Sequence, residues 1–184
     1  QCMREQLFPI VYAANKMDIA PPGVLEAFPD RTMVACMSDM ELALSRAASA
    51  GLIRYQKGAS TFVVNDSADL NEAQSKALTH MQARLEQAGG TGLARLLDEV
   101  LFDQLNHIVV YPVQDETHWV DGDGRVLPDA LVVPLGIHAK ALAGHVHTDL
   151  EEGFIRGVDG RTRRVVGADH EMGDGDVLKI HAKT

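Results

Sequence analysis

The chain has 184 residues, 46% of them hydrophobic and 23% charged, enough to close one ordinary core or two small ones without disulfides or metal. A formal net charge of −9 argues against any protein that holds nucleic acid by its overall charge. No apolar run reaches the roughly 18 residues of a membrane-spanning helix, residues 1–6 (QCMREQ) lack the basic and apolar regions of a secretory signal, and Cys2 and Cys36 offer no disulfide framework, so a cytoplasmic chain with reduced thiols and no membrane partner is expected.

Residues 8–14 (FPIVYAA) read as a buried strand, a nearly continuous apolar run of the kind found in parallel sheets covered on both faces. The run leads into Asn15-Lys16-Met17-Asp18, after which a helix is expected from about Val24. Residues 32–36 (TMVAC) form a second short buried strand. Ser38 and Glu41 then fit a capping box, with Ser38 as N-cap of a helix that stops near Gly51. A second helix is expected over residues 69–87, with Leu70, Ala73, Ala77, Met81 and Leu85 on one face and Gly89-Gly90 as its end. Leu93, Leu96, Leu97, Val100, Leu101 and Leu105 mark a third helix whose stripe reads as core. Beyond residue 106 the character changes. Residues 108–111 begin a series of short strands separated by turns such as 121–124 (DGDG) and 173–176 (GDGD), with a single helix over about 138–147.

Asn15-Lys16-Met17-Asp18 at the carboxyl end of a buried strand has a specific chemical use. Guanine presents its N1–H and its exocyclic amine side by side as donors. A carboxylate in the plane of the base accepts both, which adenine cannot match, a discrimination on the order of 1–3 kcal/mol. Asp18 would make that contact, Asn15 would tie the loop to its neighbours and reach the base, and the Lys16 stem would cover one face of the ring. The same residues would also serve as a plain polar turn. No G-x-x-x-x-G-K-[ST] segment occurs in the chain, so it contains no loop to cradle phosphates and no P-loop Lys or Ser/Thr to serve Mg²⁺. By itself it is not expected to hydrolyse a nucleotide, and no catalytic residue is assigned.

Residues 15–28 (NKMDIAPPGVLEAF) resemble the fourth GTPase motif of Obg-related enzymes, and residues 127–183 resemble the TGS domain that ends archaeal YchF-related GTPases. The carriers are LPDALVVPLG, the His147-Thr148-Asp149 segment and the closing GDVLKI. Residues 40–53 and 90–105 resemble the family's helices after the fifth motif and at the end of the G domain. The resemblance implies an α/β fold: the C-terminal portion of a P-loop G domain over residues 1–40 and 91–106, a helical insertion over 41–90, and a β-grasp, ubiquitin-like TGS domain over 107–184. It implies GTP or GDP as ligand, Mg²⁺ bound only through an upstream P-loop part, and work in translation on the ribosome or RNA. The fifth motif usually carries Ser-Ala beside the guanine; here Cys36-Met37-Ser38-Asp39 stands there, leaving Ser38 as the residue for that contact. Retention of Asn15, Lys16 and Asp18 resembles the guanine-specific branch. A rival reading is a non-hydrolytic TGS-type RNA- or ribosome-binding module with a vestigial nucleotide site.

Arg156, Arg161, Arg163, Arg164, Lys179 and Lys183 put several positive charges near the end of the chain, which read either as a solvated strand face or as a phosphate-facing patch for RNA with the four arginines as its contacts. His138, His145, His147 and Asp149 lack zinc spacing, and His147 is expected in a local hydrogen-bond network. Residues 121–132 begin like a calcium loop but have Arg125 and Val132 where oxygen ligands are required, so a hairpin turn is the better account.

Overall fold

The computed structural model describes residues 9–127 and 129–183; Cys2, Phe8 of the first expected strand and Pro128 of the TGS resemblance lie outside them. The chain divides into two compact units, Gln1–Val100 and Leu101–Thr184.

In the first unit, β1 (Tyr12–Ala14) pairs in parallel with β2 (Met33–Ala35), Ala13 opposite Val34. The expected strand is shorter than its apolar run: Ile10 and Ala13 are exposed, and only Val34 of the pair is buried. A lone two-stranded sheet covers few of its own faces, so an apolar run there marks strand type without guaranteeing burial. The helix expected from Val24 is one 3₁₀ turn, Leu25–Ala27, closed by the Phe28 N–H on the Leu25 carbonyl just before Pro29, which cannot donate onward.

Helix α1 (Ser38–Ser49) follows β2, but Ser38 is its first residue rather than its N-cap. Met37 occupies the cap without a side-chain bond. Asn15 fills the gap from another segment, its Oδ1 accepting the Ser38 N–H at 3.0 Å. Glu41 therefore does not reach back to the cap. It turns inward, buried, and accepts from Tyr55 Oη, Thr91 Oγ1 and the Gly58 N–H. A buried carboxylate is tolerated only with such donors.

After the short hairpin of β3 (Ile53–Arg54) and β4 (Val63–Val64), α2 (Glu72–Ala88) opens on a true capping box between Asn71 and Gln74 and ends on left-handed Gly89. Its start is later than expected, and its inner face is Leu78 and Leu85, whereas Ala73 and Ala77 are exposed. Those two leucines pack with Met37, Met40, Leu44, Ile53 and Phe62 as the core of this unit. Helix α3 (Leu93–Asp98) runs into a π-helical segment, Glu99–Gln104. None of its expected apolar stripe is buried, and Leu97 and Leu105 are exposed. Periodicity assigns the apolar face of a helix but not the surface that covers it.

The second unit is a five-stranded sheet in the order β6 (Leu131–Pro134), β5 (His107–Val113), β9 (Asp176–Ala182), β7 (Phe154–Asp159), β8 (Val165–Val166). Strands β5 and β9 are parallel and the other pairs antiparallel, with α4 (Ala139–Val146) and α5 (Thr148–Glu152) between β6 and β7. This is the β-grasp arrangement. Its core joins Ile108, Val110, Val133 and Leu178 of the sheet to Ala139 and Leu142 of α4.

Candidate functional site

The N-K-x-D turn is built by the parallel pair. It leaves the carboxyl end of β1 beside the residues that leave β2, the edge at which open α/β sheets place ligands. The two exits are laced together: the Cys36 N–H donates to the Ala14 carbonyl at 2.8 Å, the Met17 N–H to the Cys36 carbonyl at 3.1 Å, and Ser38 to Asn15 as described. Lys16 turns through a left-handed φ of +63°, closed by the Ile19 N–H on its carbonyl. The result is a main chain tied at several points. Lys16 is exposed and Asp18 half-buried, and neither side chain makes a hydrogen bond or ion pair among the described residues. Ser38 is exposed beside them.

Residues that sequence reasoning did not single out complete the setting. The Arg84 guanidinium donates from α2 to the Asp18 carbonyl at 2.7 Å, 66 residues away. The Thr91 carbonyl accepts the Met37 N–H at 2.8 Å. Gly92, at φ +85°, lies so close to β2 that a Cβ there would fall 1.9 Å from the Ala35 carbonyl oxygen. The dense run Gly89-Gly90-Thr91-Gly92 was the available signal, because repeated glycines after a helix mark close backbone approach as well as helix termination. A cleft of about 340 Å³ opens behind the turn, lined in part by Met17, Met37, Arg84 and Gly92. Cys36 is a free, buried thiol, and its burial raises its pKa.

In the second unit the basic run divides. Arg161 donates through Nε and Nη2 to the Gly175 carbonyl, at 2.9 and 2.6 Å, and its guanidinium lies 6.0 Å from the centre of the Trp119 ring. Arg163, at φ +61°, donates to Thr117 Oγ1 and carbonyl at 2.7 and 3.2 Å. Both therefore brace neighbouring turns. Arg156 and Arg164 are exposed, and their guanidinium groups are without a partner among the described residues. His147 caps α5, its Nδ1 accepting the Asp149 N–H at 3.2 Å, in keeping with the expected local network. Asp121 Oδ1 accepts from the Asp123 and Arg125 amides, forming the expected turn. No group of three metal-ligating side chains gathers among the described residues, and no helix among them is long and apolar enough to cross a membrane.

A parallel strand pair ending in a tethered N-K-x-D turn, followed by a β-grasp unit, defines the class: a G4-motif domain of the Obg-like GTPases joined to a TGS domain. The chain belongs to that family. Residues 13–115 match the Obg-like GTPase YGR210-like, G4 motif-containing domain, and residues 124–182 match the TGS domain. It is 37% identical over 177 residues to the uncharacterized GTP-binding protein MJ1332 of Methanocaldococcus jannaschii, a match covering 94% of this chain and 44% of the relative. It is also similar to the crystal structure of a GTP binding protein from Pyrococcus horikoshii OT3, with 31% identity and a TM-score of 0.69 over 98% of this chain and 48% of that one. The chain thus spans about half the length of the relatives it matches.

Proposed function

We propose that this chain supplies the guanine-recognising part of a YchF-type, translation-associated GTPase. The observation that carries the reading is the Asn15–Ser38 bond, which fixes the two strand exits against each other while leaving Asp18 and Lys16 free. Asp18 accepts from the guanine N1–H and amine, Lys16 covers a ring face, Asn15 fixes the loop, and Ser38 borders the base. Phosphate binding, Mg²⁺ and hydrolysis require a P-loop, which these residues lack; the relatives are about twice as long and leave room for one. The TGS unit docks on ribosomal or other RNA in the cytoplasm, with Arg156 and Arg164 as cations unpaired among the described residues and Arg161 and Arg163 shaping the surface beside them.

The test is Asp18→Asn in the longest natural polypeptide that contains this chain. An amide in place of the carboxylate mismatches guanine and matches xanthine. GDP affinity should fall roughly 10- to 100-fold while xanthosine diphosphate gains. Unchanged GDP affinity would rule out the assignment of Asp18 to the base.

A further inference from the structure

We propose that Arg84 is a positioning residue for base recognition: by holding the Asp18 carbonyl it sets where the Asp18 carboxylate stands. The inference rests on the base-recognition reading above, and it extends that reading to a helix that contributes nothing to the motif.

The N-K-x-D turn is held by hydrogen bonds from two sources. Met17 to Cys36, Ile19 to Lys16 and Ser38 to Asn15 all lie within the turn or the exit of β2. The bond from Arg84 Nη2 to the Asp18 carbonyl comes instead from α2, and it is made at Asp18 itself. Lys16 sits in a left-handed conformation that a side-chain-bearing residue adopts rarely, so the turn depends on outside support. Arg84 suits that task. Its planar guanidinium presents donors in a fixed fork, and its other arm donates from Nη1 to Gln87 Oε1 at 2.9 Å, fixing the group along the helix. The helix beneath it is anchored: Leu78 and Leu85 are buried in the core with Met37 and Leu44.

The far side of the base site leans on the same element. Directly after α2, the Thr91 carbonyl accepts the Met37 N–H, and Thr91 Oγ1 donates to buried Glu41. The Asp18 side and the Ser38 side of the site therefore each receive a bond from α2 or its exit. A carboxylate reading two donors on a base tolerates little displacement, because both bonds must stay in plane. Freeing one end of that frame should blunt discrimination before it abolishes binding.

The readout is the ratio of GDP to inosine diphosphate affinity, since inosine lacks the exocyclic amine that Asp18 accepts. It is measured in the longest natural polypeptide that contains this chain. Arg84→Ala should lower the ratio roughly 3- to 10-fold, a fraction of one full base contact. Arg84→Lys, which keeps a cationic donor on a flexible stem, should restore most of it. If Arg84→Ala destabilises the fold, Arg84→Met keeps the packed stem without the donor and serves in its place. A merely structural role lowers binding of both nucleotides equally and leaves the ratio alone, so an unchanged ratio in Arg84→Ala or Arg84→Met overturns the proposal. Asp18→Asn separates the two failures. If Asp18→Asn collapses the ratio and the Arg84 variants do not, only the positioning role falls; if Asp18→Asn leaves the ratio intact, the base-recognition reading falls and takes the positioning role with it.

Discussion

The N-K-x-D turn of the first unit and the arginine turn after β7 are both exposed, charged loops, and they use their side chains in opposite ways. In the first, main-chain groups are tied to Cys36 and to Arg84, while the Asp18 carboxylate and the Lys16 ammonium have no partner among the described residues. In the second, Arg161 and Arg163 give their donors to the carbonyls of Gly175 and Thr117, so the charged groups are themselves the braces. Asp159 does likewise, accepting from the Arg161 amide and the Thr162 hydroxyl. A charge visible in sequence is available to a ligand only where the fold has not already matched it. The two turns, both charged, therefore predict different responses to substitution.

The largest expected effect is on the frame of the first turn. Gly92→Ala would force a Cβ into the Ala35 carbonyl at a positive φ, and β2 cannot move without its partner β1. A loss of about 3 kcal/mol or more, or failure to fold, is expected in denaturant titration; a wild-type midpoint would show that the close approach is not held in solution.

Next is the buried network beside it. Glu41→Ala leaves Tyr55 Oη and Thr91 Oγ1 without their acceptor and leaves the Gly58 amide only its bond to Tyr55 Oη, and should cost roughly 2–4 kcal/mol. Glu41→Gln, which keeps an acceptor, should cost less. Equal costs would mean that the packing of this side chain outweighs its bonds.

The arginine turn should respond more weakly and unequally. On the proposed docking to RNA, Arg156→Ala on β7 with Arg164→Ala should shallow the salt dependence of binding by about one to two units of slope, as loss of one or two phosphate contacts does. Arg163→Ala should leave that slope alone and instead raise local amide exchange around Thr117. The reverse pattern would mean that RNA draws Arg163 from its brace.

The smallest effect is alkaline. Burial, then the hydrogen bond and negative charge of Glu41, push the Tyr55 phenol up to about 12. A proton held more tightly in the folded state gives stability that is complete below about pH 10, the unfolded value, and is lost as pH rises through about 12. Tyr55→Phe should remove that part of the alkaline loss, read by thermal melts across the window; an unchanged pH profile would place the phenol in solvent.

The sequence by itself determined the elements whose signals are local. The glycine stops after both long helices, the turns at 121–124 and 173–176, the β2 strand and the switch to a β-rich second unit all follow from residue chemistry within a few positions. The N-K-x-D turn was legible as a turn at a strand end for the same reason, because its residues are contiguous. The TGS resemblance was carried by a long continuous stretch and matched the fold. What only the tertiary structure decided were the partners of side chains distant in sequence. Ser38 and Glu41 have the spacing of a capping box, yet Asn15 arrives from 23 residues upstream to take the amide, and Glu41 is drawn inward to Tyr55 and Thr91. The leucine stripe of α3 and its π-helical continuation has perfect periodicity and no buried member, because periodicity specifies a face and not its cover. Arg84 has no local mark at all. Its role comes from where α2 packs, and a hydrogen bond across 66 residues exists only once both ends are in place.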